Sequence, residues 1–364
     1  DLVFTTDSLA DATSRRDGWT GNPYYNMYRV SCNEKGQCSA APQPMGRKMN
    51  TKYHDGPAVF TADGNRILFT RTTQARQFIS RQPISDPGGT VRLQIMIADE
   101  YDTTTRQYNK ITPFRYNDKD YSTAHPAISP DGNLLVFSSD MPGGEGQTDL
   151  YLSRREGEEW SKPEQLGRTV NTEGDEMFPV FIDNTTLSFA SNGHAGLGGL
   201  DVYYTRWNQS AGTWSEPENA GTPVNSSYDD MSLTLYPGSR YGYFASNRPA
   251  ARKGDNIYHF NRQELYLSLK VTDSVNGSAV GQANVLLRSD AGERREVTDP
   301  DGQLIIRLFP QPMYDVAVSK QGYRTATVYL SAPQTDRERD TIHAVVRLGS
   351  DMDISYTAVV LDET

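Results

Sequence analysis

The chain has 364 residues, a length typical of two or three domains. It carries 36 basic and 46 acidic residues, a formal net charge of −10, which argues against a non-specific nucleic-acid binder. Its purely apolar runs, such as 134–137, are far shorter than the roughly 20 residues of a membrane-spanning helix. The 30 glycines, 20 prolines and 21 tyrosines, against 36% hydrophobic residues, indicate many short strands and turns.

Two cysteines lie close together near the start of the chain. Cys32 and Cys38 would face each other on a hairpin, a position that permits a disulfide closing a small loop. Two free thiols are the alternative. A zinc site needs about four ligands and no histidine lies nearby, so no metal is expected. Because the sequence starts at Asp1 without a signal segment, it predicts a mature product or a fragment.

An internal repeat dominates the first 262 residues. Each copy contains a strand-like segment centred on phenylalanine, followed by a second segment that usually contains tyrosine. In all copies after the first, an apolar segment and a tight turn come before the phenylalanine segment. Four antiparallel strands in about 50 residues form one blade of a β-propeller. The repeated phenylalanines are Phe4, Phe69, Phe137, Phe189 and Phe244, at intervals of 65, 68, 52 and 55 residues.

These repeats predict an all-β fold with a five-bladed propeller over residues 1–262, with six blades as the alternative. The first repeat begins directly at its phenylalanine strand, so its innermost strand is missing from the sequence. That strand is expected either before Asp1 in a longer chain or from elsewhere in this one. The first two repeats also carry insertions between their second and third strands, at about residues 8–25 and 72–92.

Several segments resemble known families. SPDGNLLVFSSD and ASNGHAGLGGLDVYY resemble TolB-type, WD-like propeller repeats. WSKPEQLGRTVNTEGDEMFP is similar to the propellers of OmpA-family outer-membrane lipoproteins of Bacteroidetes. The resemblance covers residues 1–262 and is best in repeats three to five. The first two repeats depart from it through their insertions and lack the Trp-Ser-x-Pro element, so their loops inherit no function from the family.

A different pattern follows the propeller. Residues 263–350 contain about seven short alternating segments separated by turns, which predict a small β-sandwich. The order A-x-V, T-D-x-x-G and Y-x-V-x-V-x-K-x-G-Y resembles the carboxypeptidase regulatory-like domain, which implies a transthyretin-like, non-catalytic fold. Residues 351–364 are expected to be a tail or linker to a following domain.

The loops that lead into the innermost strands contain acidic residues that repeat between blades. Three of them follow an asparagine by five residues, and such repetition favours a role in turn structure over catalysis, which needs two unequal carboxylates. A cation or partner site at the mouth of the channel, or a glycosidase pair, remains an alternative. No HExxH, GxSxG or P-loop motif occurs, so neither an enzyme nor a cofactor is expected. The channel-mouth acids are Asp55, Asp120, Glu176 and Asp230.

The two insertions are expected on the same face as these acids, and they are rich in arginine and aromatic residues, which favour interface cores. They predict a partner-binding patch formed by Arg15, Arg16, Trp19, Tyr24, Arg76, Phe78 and Arg81.

Propeller and sandwich in this order resemble components of the type IX secretion system. The resemblance implies a non-enzymatic periplasmic scaffold, outer-membrane associated in the full-length protein. Its partners would be proteins of the secretion machinery, and peptidoglycan only through a domain absent from this chain. A glycan- or muropeptide-binding propeller is the second hypothesis, and a propeller glycosidase is the third.

Overall fold

Every regular element that the structure describes is a β-strand, which confirms the all-β prediction. No helix in this part of the chain is long and apolar enough to cross a membrane. The described residues form two compact units, Asp1–Ser215 with Ser227–His259 and Glu216–Ser226 with Phe260–Thr364. The computed structural model describes residues 1–9, 14, 16–17, 21–33, 35–73, 91–209, 211–235, 241–250, 254–261, 264–289, 292–308, 313–331 and 339–351.

The described part of the first unit contains five sheets that follow one another along the chain, each an antiparallel meander. Sheet one has β1 (Leu2–Thr6), β2 (Asn26–Val30) and β3 (Gln43–Pro44). Sheet two has β4 (Asp55–Phe60), β5 (Ile67–Thr73), β6 (Arg92–Asp102) and β7 (Gln107–Pro113). Sheet three has β8 (Thr123–Ile128), β9 (Leu134–Ser139), β10 (Asp149–Glu156), β11 (Glu159–Trp160) and β12 (Glu164–Gln165). Sheet four has β13 (Glu176–Phe181), β14 (Thr186–Ser191), β15 (Asp201–Asn208) and β16 (Thr213–Trp214), and sheet five has β18 (Asp230–Leu235), β19 (Tyr241–Ser246) and β20 (Asn256–Asn261).

The repeated phenylalanine and tyrosine set the register between neighbouring strands. Phe137 lies opposite Tyr151 and Phe189 opposite Tyr203, with stacked rings 6.2 and 5.9 Å apart. Aromatic cross-strand pairs of this kind stabilise a sheet and fix its register. In sheets two to five one strand, here called the innermost strand, comes before the phenylalanine strand. The phenylalanine strand is therefore the second strand of these sheets, as the spacing predicts.

Neighbouring sheets pack through their faces. The innermost strands β4, β8, β13 and β18 contact one another in order. Separate apolar clusters lie between sheets one and two, two and three, and three and four, around Phe69, Phe137 and Phe189. At Gly56, φ is +110° and a Cβ would collide with the Thr5 hydroxyl, so glycine permits β4 to approach β1 closely.

The second unit contains two further sheets around one apolar core. Its strands are β21 (Glu264–Asp273), β22 (Asn284–Ser289), β23 (Gly292–Val297), β24 (Gln303–Leu308), β25 (Met313–Ser319), β26 (Ala326–Ser331) and β27 (Arg339–Leu348), and the segment Glu216–Ser226 adds β17 (Glu218–Asn219). One sheet has the order β24-β21-β27, with β21 and β27 parallel, and the other has the order β23-β22-β25-β26. Alternate residues such as Leu267, Val316 and Val346 are fully buried in the core. The predicted domain boundaries at 262 and 350 stay predictions, and residues 352–364 lie outside the described residues.

Candidate functional site

Asp55, the first residue of β4, is fully buried in a polar network. Its Oδ2 accepts hydrogen bonds from the backbone N–H of Thr51 (2.7 Å) and the Thr51 hydroxyl (2.9 Å). Its Oδ1 accepts from Nε of Arg71 at 2.5 Å. Burial raises the pKa of Asp55, and the Arg71 guanidinium offsets part of this effect. Both carboxylate oxygens are therefore engaged within the fold.

The equivalent acids of sheets four and five are also fully buried. Glu176 accepts hydrogen bonds from the backbone and hydroxyl of Thr172, at 2.8 and 2.6 Å, and from the Ser191 hydroxyl at 2.7 Å. Asp230 pairs with Arg248 at 2.5 Å. Glu176 thus connects the loop before β13 to the second strand β14, and Asp230 connects the start of β18 to the residues that follow β19.

Asp120 does not belong to this series. Its side chain is exposed and pairs with Lys119 at 2.7 Å. Thr123 occupies the equivalent place at the start of β8, where it is fully buried and its hydroxyl donates to Asn117 Oδ1 at 2.5 Å. Asn117 precedes β8 by six residues, whereas the equivalent asparagines of sheets two, four and five precede their innermost strands by five. Asp120 was predicted as an acid of this loop and not from that spacing.

Asparagines in the same loops make a second repeated contact. Asn50, Asn117 and Asn171 each bind one third-strand residue with both ends of the amide. Oδ1 accepts from the backbone N–H, and Nδ2 donates to the C=O of that residue, which is Met27, Ile95 or Leu150. The sequence separations of 23, 22 and 21 residues are a signal that could have revealed these pairs.

Two aspartates at the start of third strands organise the glycine-rich loops. Asp149 Oδ2 accepts from the backbone N–H groups of Glu145 (2.8 Å) and Gly146 (3.4 Å), and Asp201 Oδ2 accepts from Leu197 (2.5 Å) and Gly198 (3.0 Å). Burial raises the pKa of both carboxyl groups. Each Oδ1 is buried without a hydrogen-bond partner among the described residues. The described residues contain no group of three or more His, Cys, Asp or Glu side chains that could hold a metal ion.

His125 lies in the bulge of the innermost strand β8. Its φ is +52°, and its ring stacks on Phe178 of β13, which has φ +51°, with ring centroids 3.9 Å apart. Desolvation lowers the pKa of His125 to about 3, so the imidazole is neutral at physiological pH. Two aromatic side chains therefore meet between the innermost strands of sheets three and four.

The described part of the first insertion is ordered against sheet two. Arg16 Nη1 donates to the C=O of Gly21 at 3.0 Å, and Tyr24 packs edge-on against His54 at 5.1 Å. His54 Nε2 lies 3.3 Å from Asp17 Oδ2, a contact that sequence reasoning missed. The remaining patch residues, Arg15, Trp19, Arg76, Phe78 and Arg81, lie outside the described residues.

Loops of two kinds meet at one end of the five sheets, here called the loop end. Loops between second and third strands contact loops that lead into the next innermost strand, for example where Gln147 N–H donates to Gly174 C=O at 3.0 Å and Asp230 N–H to Leu200 C=O at 2.6 Å. Large apolar or aromatic side chains are exposed there by 42–53%. They are Leu9, Tyr25, Val91, Leu197 and Tyr228.

Cys32 and Cys38 form a disulfide across a short hairpin. This hairpin contacts sheet five: the Tyr243 hydroxyl donates to the C=O of Gly36, and His259 Nε2 lies 3.0 Å from the C=O of Lys35. More than 200 residues separate these partners in sequence. The hairpin thus joins the first sheet to the last.

No protein-family model and no curated protein matches the chain. Among solved structures, TolB from Acinetobacter baumannii is 12% identical, with 84% of this chain and 57% of TolB covered and a TM-score of 0.37. A puromycin-hydrolyzing peptidase of Mycobacterium tuberculosis is 10% identical, with 91% of this chain and 44% of the peptidase covered and a TM-score of 0.36. Prolyl oligopeptidase B from Galerina marginata is 11% identical, with 92% of this chain and 39% of the oligopeptidase covered and a TM-score of 0.34. The chain spans less than two thirds of each of these proteins. Such scores transfer neither fold nor activity, so the architecture follows from the chain's own sheets.

Proposed function

We propose that this chain is a non-enzymatic scaffold of the bacterial periplasm, composed of a five-bladed β-propeller and a transthyretin-like β-sandwich. Five successive meander sheets with innermost strands in contact, and contacts between the first and last sheets, support the propeller. The three- and four-stranded sheets around one core support the sandwich.

A scaffold is the better proposal because the repeated acids are engaged inside the fold. Asp55, Glu176 and Asp230 are fully buried, and each is held by arginine or hydroxyl groups of its own sheet. A glycosidase would need two carboxylates facing a substrate at a defined separation. The binding surface would instead be the loop end, which carries the exposed apolar side chains and the described part of the first insertion. This exposed apolar set is the observation that carries the proposal.

The partner would be a protein of the cell envelope. The order of propeller and sandwich resembles PorE, a component of the type IX secretion system. On this proposal the full-length, OmpA-family lipoprotein links outer-membrane secretion machinery to peptidoglycan through domains outside this chain.

A capture experiment tests the loop end. The chain is immobilised and incubated with a periplasmic extract from cells that contain a type IX system, and the captured secretion components are quantified. We expect Leu197→Ser with Tyr228→Ser to reduce their recovery by about tenfold, because exposed apolar anchors dominate binding energy. The matched control is Val275→Ser with Tyr329→Ser, which changes residues of similar type that are exposed in the second unit. Equal recovery with both pairs would contradict the proposed surface.

A further inference from the structure

One sheet of the second unit presents positive charge on its outer face. In the sheet β24-β21-β27, residues such as Leu267 and Val346 are buried in the core, so the residues that alternate with them lie on the opposite face. These outward residues, here called the cationic face, are Tyr266, Ser268, Lys270 and Thr272 of β21, Gln303, Ile305 and Arg307 of β24, and Thr341, His343, Val345 and Arg347 of β27. None of them is acidic, although the whole chain has a net charge of −10.

Two cations of this face have no counter-charge. Lys270 and Arg347 are exposed, and neither side chain makes an ion pair or a hydrogen bond with the described residues. They lie on neighbouring strands, one step of the pleat apart, because Lys270 pairs with Val345. The other sheet of the unit neutralises its own charges, since Glu293 pairs with Arg288 at 2.6 Å and with Arg295 at 3.7 Å. The cationic face is therefore complementary to an anionic ligand.

An open pocket of about 510 Å³ adjoins the cationic face at the edge strand β24. Val297, Leu304 and Ile305 line it, and Ile305 is 68% exposed. Asp299 also lines the pocket, where its Oδ1 accepts from the Gln303 N–H at 2.7 Å. Because Ile305 belongs to both the pocket and the cationic face, one ligand segment can contact both.

We propose that the cationic face and this pocket form a docking site for an acidic segment of a partner protein. A large apolar side chain of the segment would enter the pocket, and carboxylates on either side of it would lie on Lys270, Arg307 and Arg347. The apolar anchor would supply most of the binding energy, and the charges would orient the segment.

A narrow segment suits this site better than a planar anionic membrane. Asp273 ends β21 and Asp301 precedes β24, so two carboxylates lie at one end of the same sheet. A flat anionic surface would have to approach them as well as the cations, whereas an extended segment can lie beside them. The site belongs to the second unit and is separate from the loop end.

Peptide titration tests the docking site. The probe is a capped synthetic peptide of sequence EEGWGEE, and its binding to the full chain is measured by calorimetry at low ionic strength. We expect saturable 1:1 binding. The uncharged peptide QQGWGQQ should bind about tenfold more weakly, and NaCl at about 0.5 M should weaken binding of EEGWGEE by a similar factor. The peptide EEGAGEE, which lacks the anchor, should also bind about tenfold more weakly.

Matched variants locate the binding. Lys270→Gln with Arg347→Gln should weaken binding of EEGWGEE by about tenfold. The control is Arg288→Gln with Arg295→Gln, which removes the same charge from the other sheet and should change affinity by less than about twofold. Ile305→Ser should weaken binding by about fivefold, because it removes part of the pocket wall. Thermal unfolding checks that each variant is folded.

Several outcomes would overturn the docking site. Absence of peptide binding, or equal weakening by the two double variants, would show that the cationic face is not specific. Binding to phosphatidylglycerol vesicles in place of the peptide would assign the face to a membrane. Self-association that Lys270→Gln with Arg347→Gln abolishes would assign it to a second copy, and peptide binding only after removal of residues 352–364 would assign it to the chain itself. The loop-end proposal is tested with different residues, so it stands or fails separately.

Discussion

The side-chain amide of Asn171 pairs with Leu150 as a neighbouring β-strand would. Oδ1 accepts from the Leu150 N–H at 2.9 Å, and Nδ2 donates to its C=O at 3.1 Å. Asn171 is 1% exposed and Leu150 fully buried. The amide therefore bonds both backbone groups of a residue at the start of the third strand β10, where the Leu150 C=O also accepts from the Leu166 N–H, and it fixes the loop that leads to the next sheet.

Loss of this amide should destabilise the first unit. We expect Asn171→Ala to lower the free energy of unfolding by about 1–3 kcal/mol, because the buried Leu150 N–H loses its partner, whereas the Leu150 C=O still accepts from the Leu166 N–H. Urea denaturation measures the change. Asn109→Ala on the exposed surface of β7 is the control and should cost less than about 0.5 kcal/mol. Equal effects in the two variants would show that the pairing contributes nothing specific.

The buried acids should behave as structural groups. Asp55→Asn leaves the 9%-exposed Arg71 without its counter-charge, and we expect a loss of about 3–5 kcal/mol in unfolding free energy. Glu176→Gln affects only the hydrogen bonds that the carboxylate accepts from hydroxyl and backbone donors, and it leaves no buried charge unpaired. We expect it to lower the free energy of unfolding by about 1–2 kcal/mol. Chemical denaturation of both variants gives the comparison. A larger loss for Glu176→Gln would contradict the importance of the buried ion pair.

His125 should make the fold sensitive to acid. Its folded pKa of about 3 lies below the unfolded value of 6.5, so the unfolded chain binds the proton first as pH falls. Stability should therefore decrease between pH 6.5 and pH 3, by at most about 5 kcal/mol from this group. His125→Phe should fold, because Phe178 has the same backbone conformation at the equivalent position, and should remove this part of the decrease. Unchanged pH dependence in the variant would exclude the effect.

Asp201 should have the opposite dependence on pH. Burial raises its folded pKa above the unfolded value, so its favourable contribution is complete below the unfolded pKa and is lost as pH rises through the folded pKa. We expect Asp201→Asn, which keeps an acceptor for the Leu197 and Gly198 amides, to gain stability relative to the parent chain as pH rises from about 4 to 7. Thermal denaturation at each pH measures this. Asn26 occupies the equivalent place in sheet one, so the amide fits such a position.

The disulfide hairpin should stabilise the contact between sheets one and five. Replacing both Cys32 and Cys38 with serine opens the disulfide loop, whose two ends are six residues apart in sequence. We expect the free energy of unfolding to fall by about 2 kcal/mol. Tyr243→Phe removes the hydroxyl that donates to Gly36 and should cost about 1 kcal/mol. If the hairpin acts through this contact, the Tyr243→Phe effect should shrink in the double serine variant. Full additivity, measured by urea denaturation, would argue against coupling.

Local sequence patterns predicted much of the fold because side-chain alternation and turn residues are local signals. Phe137 and Tyr151 marked neighbouring strands that do pair, and Asp131-Gly132 marked the turn before β9. The acidic positions were predicted less well. A spacing of five residues from an asparagine identified Asp55 and Glu176, whereas Asp120 was predicted only as an acid of its loop, and Thr123, six residues after Asn117, occupies the equivalent place. Register within a loop depends on contacts to other sheets, which spacing alone does not contain.

The sequence by itself determined the all-β class and the repeated strand pattern, since both follow from short-range alternation and turn chemistry. Only the tertiary structure decided what the repeated acids do, because they bond to partners such as Arg71, Ser191 and Arg248 that lie 15 to 18 residues further along the chain. It also decided that the Cys32–Cys38 hairpin meets Tyr243 and His259. That contact joins residues more than 200 positions apart, and no local pattern in the chain encodes it.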